Sequence, residues 1–177
     1  MKAKKLLRQY RDGKLNFTGE SLHSANLNSA NLTRINLTQA DLSHADLSNA
    51  DLSGACLQRA NLTNAELNNS NLVGANLTEI NLIGAELVGA DLSGADLSGA
   101  DLRYADLHLA NLSGANLTDV DLNGADLSDA NLTDAQLAGT DIAVADIQGA
   151  NLQAACLTTG ERTQTNTSHH WVTWSGS

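Results

Sequence analysis

The sequence predicts an all-β fold, a β-solenoid in which the chain winds into stacked coils. Three observations predict it. A large apolar residue stands at every fifth position from Phe17 to Leu157, twenty-nine times in succession. Ala stands two places before it in twenty-two of these units, and the 177-residue chain contains no Pro. A unit that reads Ala-(Asp/Asn)-Leu-x-x cannot bury its apolar face alone, so its copies must stack.

A period of five fits neither a helix nor a flat strand. On an α-helix, at about 100° per residue, successive central residues would rotate by roughly 140° and scatter around the cylinder. On a flat strand the side chains alternate between the faces, so residues five apart would point to opposite sides. A chain that turns a corner after every pentapeptide can instead point all its central residues inward.

Pro and Gly agree with a coil that turns corners. A Pro would remove one donor from the backbone hydrogen bonds between coils, which explains its absence. Eleven of the fourteen Gly occupy the last position of a pentapeptide. Left-handed backbone is cheapest for Gly, so we expect these positions to be the corners.

The pentapeptides ADLSG at 90–94 and 95–99, ANLSG at 110–114 and ADLSH at 40–44 resemble those of the pentapeptide-repeat family. The Leu-centred pattern is similar to that of members common in cyanobacteria. The resemblance covers residues 15–159 and implies a right-handed four-sided β-helix with four pentapeptides per coil. Twenty-nine repeats would then make about seven coils and a rod about 35 Å long, at about 4.8 Å per coil.

The two ends of the rod need covers. We expect residues 1–14 to form a capping helix, because apolar residues recur at helical spacing before a stop at Gly13. These residues are Ala3, Leu6, Leu7 and Tyr10. The period fails in the polar tail, residues 160–177, which either folds back over the last coil or is disordered. If the last coil stays uncovered, we expect an end-to-end homodimer.

The start of the chain does not read as a targeting signal. Its basic residues flank only two Leu, which is too few for a secretory signal, and no stretch approaches the length of a membrane span. We therefore expect a cytoplasmic protein without a membrane partner. Cys56 and Cys156 would lie about 24 Å apart along the axis, too far for a disulfide.

The charge of the rod indicates its partners. Residues 15–159 hold eighteen Asp and Glu against three Arg, a net charge of −15, whereas the first fourteen residues hold six Lys and Arg against Asp12. Such a rod repels nucleic acid and anionic membranes at long range, so we expect no direct nucleic-acid binding. The charge favours an unknown protein partner with a basic surface.

Stacking by twenty places six acidic residues in one unbroken column. They are Asp46, Glu66, Glu86, Asp106, Asp126 and Asp146. The column is either a solvated face that keeps the rod soluble or a mimic of the regularly spaced phosphates of DNA. The second interpretation draws on the quinolone-resistance branch of the family, whose resemblance implies DNA gyrase as the target. This chain departs from that branch, because Leu replaces Phe at the centres and no loop interrupts the repeats.

Five apolar residues occupy outward positions where small polar residues are the rule. They are Val73, Ile83, Val88, Tyr104 and Leu109. They form either a patch for a partner or an ordinary scatter of surface residues. Arg103 and Tyr104 are the most distinctive outward pair. The candidate interaction surface therefore consists of the six acidic residues together with Arg103, Tyr104 and Leu109.

The sequence gives little support to catalysis. Parallel carboxylates on flat walls do not converge on a pocket, and His23, His44 and His108 lack partners at metal-ligand spacing. No phosphate-binding loop or other cofactor motif occurs. We therefore expect no catalytic residue, cofactor or metal. The expected function is a non-catalytic interaction scaffold that presents a rigid acidic rod, and the alternative is a DNA-mimicking modulator of a DNA-binding enzyme such as gyrase.

Overall fold

A computed structural model describes residues 3–157, so the predicted tail at 160–177 lies outside the described residues. Within that part, helix α1 spans Ala3–Arg11 and a 3₁₀ turn spans Ile142–Val144. The strands are reduced to one paired residue in each pentapeptide of residues 15–157 except 140–144. Each pairs in parallel with the residue twenty positions later, as Asn16 pairs with Asn36 and Asn36 with Cys56. Four pentapeptides therefore make one coil, and residues 15–157 make about seven coils, as predicted.

A typical pentapeptide satisfies all five of its backbone N–H groups, as residues 60–64 illustrate. The second, third and fifth N–H groups bond to neighbouring coils: Asn61 to the Ala40 carbonyl at 2.9 Å, Leu62 to Asn81 at 2.7 Å and Asn64 to Ile83 at 2.9 Å. The first N–H closes a turn, from Ala60 to the Leu57 carbonyl at 2.9 Å. The fourth is capped by a side chain, from Thr63 to Asn61 Oδ1 at 3.2 Å. Where the second residue of a unit is Asp or Asn, its side chain thus completes the hydrogen bonding that a buried backbone requires.

The corners lie at the fifth position of each pentapeptide, where Gly was expected. This prediction is confirmed, but the left-handed conformation extends well beyond Gly. Every corner from Gly19 to Ala154 has a positive φ except Val144, and sixteen of these residues are not Gly. Because the corner N–H bonds to the next coil and a turn bond follows it, the fold holds even Leu109 at φ 60°. Gly lowers the strain at a corner without being required there.

Leu and Ala fill the interior of the coils. Central residues such as Leu52 and inward residues such as Ala55 are fully buried, and they form one continuous core. Burying each Leu contributes roughly 1.5–3 kcal/mol. The central residues of the last described coil, Ile142, Ile147 and Leu152, are only half-buried, since a described coil packs on one side of them only.

Helix α1 covers the first coil, as predicted. Its Leu6 is fully buried in the core, and the Tyr10 hydroxyl donates to the Thr33 carbonyl at 2.9 Å. The helix ends in a Schellman motif, in which Gly13 N–H bonds to the Tyr10 carbonyl at 2.9 Å and Lys14 N–H to the Gln9 carbonyl at 3.0 Å. The left-handed Gly13 that this motif needs is the stop that the sequence indicated.

The coils change near their C-terminal end, although the period of the sequence does not. Thr140 replaces the usual Ala, and its hydroxyl accepts from Val120 N–H at 2.9 Å and donates to the Leu117 carbonyl at 2.5 Å. It thereby bridges a turn that elsewhere closes directly. Gly124 N–H then bonds to the carbonyl of Val144, one residue later than the equivalent bond in other coils. The 3₁₀ turn absorbs this shift.

Candidate interaction surface

One side of the rod, which we call the acidic wall, carries the predicted acidic column. The acidic wall consists of residues 25–29 and the equivalent pentapeptides every twenty residues, ending at 145–149. Its second positions pair in succession from Asp46 to Asp146. The structure thus brings all six acidic residues into one column, with about 4.8 Å between neighbouring coils. We call this column the acidic ladder.

The Asp residues of the acidic ladder also hold the backbone. Asp106 Oδ1 accepts the N–H of His108 at 3.0 Å, and Asp126 Oδ1 accepts the N–H of Ser128 at 2.8 Å and its hydroxyl at 2.5 Å. The Ser128 hydroxyl, with the N–H beside it, lowers the pKa of Asp126. An Asn caps the same turn in other columns, as Asn131 does for Thr133. The fold therefore needs an acceptor at these positions but not a negative charge.

At the two Glu residues of the acidic ladder, the negative charge can be considered apart from the capping of the turn. Glu86 does not cap its own turn; Asn68, from the preceding coil, accepts the Val88 N–H at 3.0 Å instead. Asn68 also donates to the Glu86 carboxylate at 2.9 Å. Glu66 is exposed. The acidic wall thus keeps a carboxylate even at a position where the backbone does not use it.

Columns that mix Asp and Asn behave differently from the acidic ladder. Asn131 donates its amide to Asn111 Oδ1 at 3.1 Å, and Asn111 donates in turn to Asp91 Oδ1 at 3.1 Å. Stacked side-chain amides therefore hydrogen-bond along this column. Within residues 3–157, no such bond joins two carboxylates of the acidic ladder, because neither ionised group has a proton to donate.

Arg103 lies on the neighbouring side of the rod and is already paired. Its guanidinium donates to both carboxylate oxygens of Asp101, at 2.9 and 2.8 Å, and lies 3.7 Å from Asp121 Oδ2. The hydrogen bond from Arg103 lowers the pKa of Asp101. Asp101 and Asp121, which pair in parallel, form a second, shorter acidic column that the sequence analysis missed, and Asp141 lies near Asp121 in the lining of one cleft. Stacking by twenty from Ser21 would have found it.

Tyr104 and Leu109 are corners at the two edges of the acidic wall. Tyr104 is 68% exposed and Leu109 is 57% exposed. Asp106 and His108 lie between them, and the half-buried Val88 lies one coil earlier. The structure therefore gathers three of the five predicted apolar residues along the acidic wall. The other two, Val73 and Ile83, lie on other sides of the rod.

The described residues offer little for catalysis or for metal binding. No group of three or more His, Cys, Asp and Glu within residues 3–157 is arranged to hold a metal ion. None of the helices in this range is long and apolar enough to cross a membrane. An open cleft of about 420 Å³ lies beside the Thr140 bridge and is lined by residues that include Asp119, Asp121 and Asp141. It offers carboxylates without a nucleophile or a His beside them.

Comparisons with known proteins agree with the geometry. A family model for pentapeptide repeats matches eight copies, over residues 21–59, 60–99, 80–119, 90–129, 110–143 and 125–159. Among solved structures, a pentapeptide repeat protein of the Arabidopsis thaliana thylakoid lumen is 36% identical, over 54% of this chain and 67% of that chain, with a TM-score of 0.53. No curated protein matches this chain.

Two further structures are similar over most of the chain. HetL, a pentapeptide repeat protein involved in heterocyst differentiation regulation in the cyanobacterium Nostoc, is 30% identical over 88% of this chain and 94% of that chain, with a TM-score of 0.28. QnrB1, a plasmid-mediated fluoroquinolone resistance protein, is 18% identical over 81% and 89% of the two chains, with a TM-score of 0.50. At that identity, QnrB1 shares only the fold.

The family model and the pairing of residues twenty apart support one architecture. It is the right-handed four-sided β-helix that the sequence predicted. This chain belongs to the pentapeptide repeat family.

Proposed function

We propose that this protein is a non-catalytic interaction scaffold that presents its acidic wall to a basic surface of a protein partner. The observation that carries the proposal is the acidic ladder at Glu66 and Glu86. Capping explains an Asp or Asn at a second position, but it does not explain Glu86, whose turn is capped by Asn68. We therefore attribute the unbroken acidity to a role outside the fold.

The rigidity of the wall supports this function. The backbone behind the acidic ladder is hydrogen-bonded on both sides; Asp106 N–H, for example, bonds to the Ala85 carbonyl at 3.0 Å and Leu107 N–H to the Asp126 carbonyl at 2.7 Å. A partner would meet carboxylates whose spacing is already fixed, so little conformational freedom would be lost on binding. The regular negative charge would also steer a basic partner toward the wall.

The test is capture of binding proteins from an extract of the source organism by the full chain. The variant Glu66→Gln/Glu86→Gln/Asp106→Asn removes three ladder charges. The control variant Asp91→Asn/Asp96→Asn/Asp134→Asn removes the same charge from other sides of the rod. We expect a partner that binds the unaltered chain and the control but is lost from the ladder variant. A partner held equally by both variants would contradict the proposal.

A second candidate is a DNA-mimicking modulator of DNA gyrase. The regular carboxylates favour it, because their spacing of about 4.8 Å along the rod approaches the rise of about 3.4 Å along the DNA axis per phosphate of one strand. The QnrB1 likeness supports only the shared fold, and the Leu centres still depart from the quinolone-resistance pattern. A supercoiling assay with gyrase tests this candidate. We expect inhibition or protection by the unaltered chain and loss of the effect in the ladder variant; an inert unaltered chain rejects the candidate.

A further inference from the structure

We propose that the partner docks a basic α-helix lengthwise on the acidic wall, between Tyr104 and Leu109, with a cation on each helical turn. This inference rests on the proposed function and specifies the chemistry of its partner. It starts from the two exposed apolar corners and from the charge between them.

Tyr104 and Leu109 form apolar edges that one helix could reach together. Five residues span at most about 18 Å, while a helix with its side chains is about 10–12 Å across. A helix resting on Asp106 would therefore contact one or both edges. Tyr is among the residues that contribute most to protein interfaces, and Val88 extends the apolar edge beside Leu109.

The ring of Tyr104 rests on the next coil. It lies over Gly124, where an added Cβ would stand 2.7 Å from the ring. His108, between the two edges, has its Nδ1 2.9 Å from the Ser128 hydroxyl. These contacts restrict the two side chains in the free protein, so less side-chain entropy would be lost on binding.

The charge of the wall and its repeat distance select a basic helix. From Glu66 to Asp126 the acidic ladder rises three coils, about 14.4 Å. Cations at positions i, i+3, i+7 and i+10 of a helix span ten residues, about 15 Å. Four same-face cations of an extended strand would span about 20 Å and would lose register with the carboxylates. The wall therefore matches a helix better than a strand.

Arg suits this surface better than Lys. Its guanidinium can stack on the exposed face of Tyr104 and can also form two parallel bonds to a carboxylate. The methylene stems of Arg would cover Val88 and Leu109 while the charged ends reach the acidic ladder. An Arg-rich helix thus uses both the charges and the apolar edges.

The probe is a synthetic 18-residue Ala-based peptide with four Arg at i, i+3, i+7 and i+10. Its isomer has the same composition but distributes the Arg around the helix. Binding of each fluorescently labelled peptide to the full chain is measured by anisotropy at about 0.1 M salt, where the Debye length is about 10 Å. We expect the one-face peptide to bind at least about tenfold more tightly than its isomer.

Variants locate the binding site on the rod. Tyr104→Asn/Leu109→Asn keeps a residue that tolerates left-handed backbone, so the corners should still form. We expect it to weaken the one-face peptide about tenfold, and we expect the control Val73→Ser, on another side, to leave binding unchanged. Circular dichroism verifies that each variant folds. Unchanged binding by the folded double variant would overturn the docking position.

The remaining outcomes separate this inference from the proposed function. Equal binding of the two peptide isomers would overturn the proposal that the partner docks a helix. If the variant Glu66→Gln/Glu86→Gln/Asp106→Asn then bound neither peptide, the result would still support an acidic wall that attracts cations. Unchanged binding by that ladder variant would contradict the proposed function itself. A second copy could offer its own basic helix α1, so the chain alone is examined by light scattering. Salt-sensitive self-association that excludes the peptide would overturn the assignment to a separate partner.

Discussion

The ring of Tyr104 packs over Gly124, the equivalent corner of the next coil. A Cβ added to Gly124 would stand 2.7 Å from ring atom Cδ1. Asn64 lies over Gly84 in the same way. The guanidinium of Arg59 lies 2.8 Å from the carboxylate of Glu79, the equivalent corner of the next coil. Corner side chains thus point toward the following coil. A Gly corner not only adopts a left-handed backbone but also makes room for the side chain of the coil before it.

The first prediction compares two Gly corners, one with open space at its Cβ position and one without. Gly94 has a φ of +63° and open space at its Cβ position, whereas Gly124 has a φ of +70° and faces the Tyr104 ring. Ala at either corner should lose about 1 kcal/mol of unfolding free energy through left-handed strain. Gly124→Ala should lose about 1 kcal/mol more, because the ring must move. Urea unfolding followed by circular dichroism measures both losses.

The control for this prediction is the same pair of substitutions in a Tyr104→Gly background. Gly has no side chain to reach the next coil and tolerates a positive φ, and Gly94, which follows Gly74 by one coil, already has open space at its Cβ position. The difference between Gly124→Ala and Gly94→Ala should then shrink toward zero. Equal losses in the chain that retains Tyr104 would show that the ring moves aside freely.

Much of the fold follows from the sequence because the repeat makes one local rule act everywhere. A Leu at every fifth position fixes which side chain points inward, and stacking by twenty then places Asp46 on the same column as Asp146. The corners at Tyr104 and Leu109 follow from the same numbering. These features depend on position in the repeat and little on the identity of the neighbours.

The details that escaped prediction depend on single side chains and their reach. The pairing of Arg103 with Asp101 is a choice among several carboxylates that a long, flexible side chain could reach. Asn68 caps Val88 at a turn whose own second residue is Glu86, one methylene longer than the usual Asp. The Thr140 bridge replaces a direct bond with a hydroxyl between two coils. The five-residue repeat of the sequence does not predict such local changes of hydrogen-bond partner.

The second prediction concerns the Thr140 hydroxyl. Thr140→Val keeps the shape but leaves the Val120 N–H and the Leu117 carbonyl without their partner in a buried place. We expect a loss of about 1–3 kcal/mol in unfolding free energy, since a buried polar group without a partner costs that much. Urea unfolding provides the measurement.

Two further variants distinguish the effect of losing the hydroxyl from the effect of changing the size of the side chain. Thr140→Ser keeps the hydroxyl and should cost clearly less than Thr140→Val. The double variant Val120→Ala/Thr140→Ala restores the usual Ala at both positions, so the turn can close directly and recover part of the loss. If Thr140→Ser were as damaging as Thr140→Val, the bridge would not be the stabilising contact.

The third prediction concerns repulsion within the acidic ladder. Glu66 stands between Asp46 and Glu86, and two charges about 5 Å apart in water repel by about 0.8 kcal/mol. Glu66→Gln should therefore raise the unfolding free energy at low salt, by at most about 1 kcal/mol, because exposed charges are partly screened. The gain should fade at about 1 M salt, where the Debye length is about 3 Å. A gain that persists at high salt would point to a cause other than repulsion.

The fourth prediction concerns the contribution of Asp41 to stability at low pH. Its neighbours in the column, Ser21 and Asn61, are neutral. The Ser43 hydroxyl, at 2.6 Å, and the Ser43 N–H, at 3.1 Å, lower the pKa of Asp41, and His23 adds to this effect. In the unfolded chain an Asp has a pKa of about 3.9. The stabilisation is therefore fully present above about pH 4 and is lost as the pH falls through the lowered pKa of the folded state.

Asp41→Asn removes this titration while keeping an oxygen that can accept the Ser43 N–H. Between about pH 6 and pH 2, the unaltered chain should lose more unfolding free energy than the variant, because only the unaltered chain must protonate Asp41. Denaturant unfolding at each pH, at constant ionic strength, gives the difference between the two proteins. That difference should narrow as the pH falls below about 4. A difference that stays constant over the whole range would mean that the bonds from Ser43 do not favour the carboxylate over the carboxylic acid.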